Sequence, residues 1–211
     1  MGGRGDPQRG ARMKRYHSKE LLLLKKIYDK DQILFESATP GSYQLEILDN
    51  GTFEYTACGG GGGGGGSAAA HAWYGGTGGS AAAFSGFIVL KKGLYTINIG
   101  AGGPGGAPSG SNAYAGGNGE NTSFLLNEIN LINTGGGHGG NGTGGSYNDG
   151  AGGILSVHSS IEIISSKIQK NGVAASTVSI LGNGFGSGGY AQVANWGTNG
   201  TGGYVKLIYK F

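Results

Sequence analysis

Four histidines, one cysteine and twelve carboxylates are the residues of this chain suited to acid–base, nucleophilic or metal chemistry. His17, His71, His138 and His158 show none of the short spacings by which side chains share a metal ion. No metal and no cofactor is therefore expected. Cys58 is alone, which excludes an intrachain disulfide framework. It follows FEYTA, a context that suits a small buried hydrophobe better than a reactive thiol. No two carboxylates stand out as the pair that glycoside hydrolysis needs. The run GAGGPGG at residues 100–106 follows a strand-like segment, but no helix with a downstream acid comes after it. It is therefore no dinucleotide fingerprint, and the chain has no Walker sequence. The sequence predicts a protein without catalytic activity.

What remains is chemistry of recognition. His71, Trp73, Tyr74, Tyr114, His138, Tyr147 and Trp196 interrupt glycine-rich tracts, as does Tyr190. Aromatic side chains among Asn, Ser and Gly resemble the makeup of adaptable binding loops, and the flat faces of Trp and Tyr suit sugar rings. The first seven are the receptor-contact candidates. The other reading of the same aromatics is that they seal the ends of a glycine assembly.

The elements that must position them are unusual in composition. Fifty of 211 residues are glycine, against ~7% in an average chain. They concentrate in four blocks, roughly 59–79, 100–119, 135–153 and 182–203, and the first begins with eight in succession, Gly59–Gly66. Glycine loses more freedom on ordering than any other residue. The blocks are therefore either slack linkers or places where the missing side chain is itself the structural feature. Dense apolar runs such as FSGFIVL and GYVKLIY alternate with them, which a disordered polymer has no need of. Within the blocks, Gly-Gly-x and Gly-x-Gly triplets recur. A polyproline-II-type helix has three residues per turn and no internal hydrogen bonds, and its buried N–H and C=O groups must find partners. Glycine triplets would let such helices approach closely enough to bond to one another. The sequence therefore predicts polyglycine-II helices packed together.

Between the blocks the period is two. ILFES, YQLEIL and TFEYTAC alternate apolar and polar residues as half-buried antiparallel strands do. DNG reads as a hairpin turn joining the second and third. Phe87 to Leu90 and Leu94 to Ile99 read as a second hairpin, and TSFLLNEINLINT as a third, around Asn127. ILSVHSSIEIISSKI, with His158 in a strand, supplies one or two more, and GGYVKLIYKF closes the chain. Eight to ten strands are expected over residues 33–211.

Residues 1–32 form a separate unit in this reading. Residues 1–30 hold nine Lys/Arg and three Asp/Glu, whereas residues 31–211 hold six and nine. SKELLLLKKIYDK, residues 18–30, predicts a short helix capped by Ser18, with Leu21, Leu24, Ile27 and Tyr28 as its apolar face. Such a helix is marginal alone and is expected to pack against the body, a symmetry mate or a larger assembly. The leucine run is too short and too interrupted for a signal peptide or a membrane span, so membrane insertion is not expected. A basic arm can meet nucleic acid, but a solvated tail or docking segment is the simpler reading.

Taken in order, ATPGSYQLEILDNGTFEYTACGGGGGGGG, FIVLKKGLYTINIGAGGPGG, GNGENTSF and GTGGYVKLIY resemble the glycine-rich domain of bacteriophage tail fibres and related viral or bacterial surface proteins. The set is also similar to the extracellular glycine-rich region of anaplastic lymphoma kinase, although the cysteines of that receptor are missing here. The resemblance covers residues 33–211. It implies an all-β, jelly-roll or tumour-necrosis-factor-like sandwich with inserted polyglycine-II helices. It further implies a homotrimeric virion or cell-surface component, anchored to its assembly through the N-terminal segment, which recognises a host-surface glycan or protein. A rigid spacer without a ligand is the alternative.

Overall fold

The structure, a computed structural model, describes residues 28–67, 75–109, 113–142, 149–191 and 196–211. Among these residues the fold is all-β. Ten strands form two five-stranded sheets in which every pairing is antiparallel. The first sheet runs β1 (Ile33–Ser37), β10 (Tyr204–Tyr209), β3 (Gly51–Cys58), β4 (Ala83–Leu90), β9 (Glu162–Lys170). The second runs β2 (Gly41–Ile47), β5 (Gly93–Ile99), β6 (Thr122–Leu126), β7 (Ile129–Thr134), β8 (Leu155–Val157).

The two-residue period places Phe53, Tyr55 and Ala57 of β3 with Val205 and Leu207 of β10 in the core, opposite Tyr95, Ile97 and Ile99 of β5. Tyr95 and Phe124 stack in parallel at 4.9 Å within the second sheet, and Tyr55 of the first sheet meets Phe124 at 5.1 Å. Each such fully buried side chain contributes on the order of 1.5–3 kcal/mol. The outer face of the first sheet is polar. Glu54 there receives Lys167 Nζ at 2.7 Å and Lys210 Nζ at 2.9 Å, and Lys210 also reaches Asp31 at 2.8 Å.

Two expected hairpins are corners instead. β2 and β3 lie in different sheets, and so do β4 and β5. A two-residue hairpin of the expected kind needs left-handed residues at its centre. Neither Asn50 nor Gly51 has positive φ, whereas Asn127 (φ 48°) and Glu128 (φ 66°) do, and they make the β6–β7 hairpin that the sequence predicts. The corners are fastened to one another. Lys92 N–H donates to Asn50 Oδ1 at 2.8 Å, and the Tyr95 hydroxyl accepts from Lys91 N–H while donating to Lys91 C=O. His158 sits just past β8 rather than in a strand, where its Nδ1 accepts from Ser160 N–H at 3.1 Å.

Residues 18–27 of the expected N-terminal helix lie outside the described residues, and Tyr28, Asp29 and Lys30 are not helical. Tyr28, counted in the arm by its sequence neighbours, is part of the core. Its ring packs on Phe53 and Tyr209, and its hydroxyl accepts from Leu48 N–H at 2.6 Å.

Candidate functional site at the free end of the glycine lattice

All four glycine blocks leave the sandwich at one end. They follow β3, β5, β7 and β9, and each runs out and back before the next strand begins. Gly59–Gly66 form the axis. The amides of Gly59, Gly62 and Gly65 donate to the carbonyls of Ala82, Gly79 and Gly76. Those of Gly60, Gly63 and Gly66 donate to Glu120, Gly117 and Tyr114, and those of Gly61 and Gly64 to Thr201 and Thr198. The axial carbonyls receive the amides of Gly137 and Gly140, of Gly103 and Gly106, and of Gly189. Each neighbour is thus met every third residue.

Six segments surround the axis and bond to one another in a closed ring: 76–82, 135–142, 113–120, 100–107, 197–203 and 186–190. Chain direction alternates around it. Residues 149–154 and 172–176 add a partial outer layer beside 76–82. Space, not backbone conformation, demands the glycines. Of the described glycines only Gly41, Gly182, Gly184 and Gly186 have positive φ. A Cβ on Gly61, Gly62 or Gly63 would overlap the carbonyl of Ser187, His138 or Pro104.

Polar side chains close the sides of this lattice. Asn118 and Asn121, three residues apart, accept the outward amides of Gly139 and Gly136 at 2.9 and 3.0 Å. Thr198 and Thr201, also three apart, accept from Tyr190 and Ser187, and Asn199 accepts from Gly105. The sequence reading missed these residues, although their spacing of three was the available signal.

Three of the expected aromatics lie at the end far from the sheets, on different segments of the ring. Tyr114 C=O receives the amide of Gly66, the last axial glycine, and Tyr190 C=O receives Thr198 N–H beside Gly197. Tyr114, Tyr190 and Trp196 are 64%, 59% and 58% exposed. Three exposed aromatic side chains thus stand on a base of paired backbone. Such side chains can stack on flat ligands. His138 is exposed but lies on the flank, level with Gly79 and Ala151, and does not join them. His71, Trp73, Tyr74 and Tyr147 lie outside the described residues, as do Leu21, Leu24 and Ile27. The described neighbours of the first group, Ser67 and Gly75, Gly142 and Asp149, stand toward the same far end.

Among the described residues no three of His, Cys, Asp and Glu gather as metal ligands. Burial pushes the Cys58 thiol up to about 12. A family model described as a glycine-rich domain matches residues 37–208. No curated protein matches the chain.

Proposed function

The chain belongs to the glycine-rich domain family over residues 37–208, and from that premise we propose that it is a non-catalytic recognition module of tail-fibre or surface-adhesin type. In this reading the two sheets are a jelly-roll-like sandwich and the glycine segments are polyglycine-II helices. The three-residue hydrogen-bond period supports the second assignment, and the sheet-to-sheet corners at 48–50 and 91–92 support the first. The module works as a homotrimer on a virion or cell surface, joined to its assembly partners through the N-terminal segment, and presents its far end to a host-surface glycan or protein.

The observation that carries this reading is that Tyr114, Tyr190 and Trp196, all exposed, stand around the same free end of the lattice. Large, stiff aromatic side chains on a fixed base lose little entropy on binding. The test is glycan-array and host-cell binding by the full chain and by Tyr114→Ala/Tyr190→Ala/Trp196→Ala. Binding lost in the triple variant, with folding intact, is the expected result. Solution mass measurement tests the trimer, and a monomer at all concentrations refutes it.

A spacer without a ligand is the second reading. It is favoured by Asn118, Asn121, Asn199, Thr198 and Thr201, whose side-chain oxygens serve lattice amides. A folded chain that binds no glycan and no host surface would select it.

A further inference from the structure

The end of the sandwich opposite the lattice is not closed. There the β4–β5 corner, the β6–β7 hairpin and the start of β9 enclose a groove of about 360 Å³. Val89, Leu90, Leu126, Ile129, Leu131 and Ile161 supply its apolar lining, with Lys91 and Glu162 among its polar groups. Ile129 is 48% exposed beside it. A groove of this size falls in the range of sites that hold a ligand or several side chains.

We propose that this groove is the docking site of the chain's own residues 20–27, ELLLLKKI. The first argument is position. Tyr28 fixes the exit of that segment at the same end of the sandwich, by its hydrogen bond from Leu48 and its packing on Phe53. Phe53 lies on β3, which pairs with β4, and Val89 and Leu90 of β4 line the groove, so the two places stand on neighbouring strands. The corner beside Tyr28 is tied to the corner of the groove through Asn50 and Lys92. The second argument is reach. A chain spans up to ~3.3 Å per residue, so Leu24 can lie ~13 Å from Tyr28 and Leu21 ~23 Å. The third is chemistry. Four leucines and an isoleucine match the lining, Lys25 and Lys26 can meet Glu162, and Glu20 can meet Lys91. Leucines left in water would have a strong incentive to enter such a cleft.

The experiment is a disulfide trap in the full chain. Leu24→Cys is combined with Ile129→Cys, or with Val178→Cys, an exposed site on the connection after β9. Cys58, buried, stays out of the exchange. The expected result is an intramolecular bond at 129 but not at 178, formed at a rate independent of protein concentration. Equal trapping at both sites, or at neither, overturns the proposal. Disulfide dimers whose yield rises with concentration would make a second copy the occupant and also overturn it. Amide exchange guards against a misfolded cysteine variant. Leu21→Asp/Leu24→Asp should speed exchange at Asn127–Ile129 while the lattice amides stay protected, and unchanged exchange there refutes docking. Protection that appears only on adding a second protein refutes it as well.

Discussion

The amide of Gly63 donates to the carbonyl of Gly117 across 2.8 Å. At that spacing the two backbones leave no room for side chains, and a Cβ on Gly63 would overlap Pro104 C=O. Gly62→Val and Gly63→Val should each cost about 3 kcal/mol or more, because backbone rather than a rotamer must move. Gly202 is the control. A Cβ there would meet nothing nearer than Ala38 C=O at 3.8 Å, and its φ is not positive. Gly202→Ala should change stability by less than about 1 kcal/mol. Denaturant melts of the three variants decide it. Unchanged stability in the valine variants would mean that the close packing is wrong.

The lattice sides make a subtler prediction. Asn118→Ala and Asn121→Ala each leave an outward amide, at Gly139 and Gly136, to water. Each should cost about 0.5–1.5 kcal/mol. Asn118→Asp keeps the accepting oxygen and should be milder. Amide exchange at Gly139 and Gly136 reports the effect site by site, and equal exchange in wild type and alanine variants would contradict it.

Acid should loosen the outer face of the first sheet. Hydrogen bonds from Lys167 and Lys210 hold the Glu54 carboxyl below its ordinary range. Lys210 does the same for Asp31, and Tyr204 with Lys206 for Glu36. Because the folded values are depressed, this stabilisation is complete above the ordinary carboxylate pKa of about 4. It is lost as pH falls through the lower folded values. Thermal scans from neutrality to about pH 2 should show it, with a smaller acid loss in Glu54→Gln. Much of the network is open to solvent, so the change should be modest and should shrink in strong salt.

Cys58 offers a probe of opening. Its thiol, pushed up to about 12, should resist alkylation at about pH 8 in the native chain. It should react in step with unfolding, and earlier in Gly62→Val. Fast labelling of the folded wild type would show that the site is open.

At the far end, Tyr114→Ala or Tyr190→Ala should weaken binding by about tenfold or more, ~1.4 kcal/mol. His138→Ala, on the flank, should leave it unchanged. Affinity measured beside melting temperature separates lost contact from lost fold.

Much of the architecture was legible in the residues. Alternation marked the strands, as in Phe53, Tyr55 and Ala57, and the triplets marked ordered glycine. Pairing was not legible, because Tyr43, Leu45 and Ile47 alternate alike whether β2 turns into a hairpin or crosses to the other sheet. Only the sign of φ at Asn50 and Gly51 separates the two, and the letters DNG do not carry it. Tyr28 was misleading for a related reason. Its sequence neighbours continue a leucine run, while Phe53 and Tyr209 that bury it are remote along the chain. At the site, the glycine blocks gave the aromatics but not their level. That depends on which carbonyl each third amide meets, so Tyr114 and Tyr190 share the far level while His138 does not.

The closed, alternating ring also constrains how such a chain can change its length. One residue inserted between Gly60 and Gly65 would turn every later amide toward the wrong neighbour, and so would two. Three would restore the register. A ring that alternates in direction cannot gain or lose a single segment, only an outward and returning pair. Insertions in this domain should therefore come in multiples of three along the segments and as whole excursions around the ring.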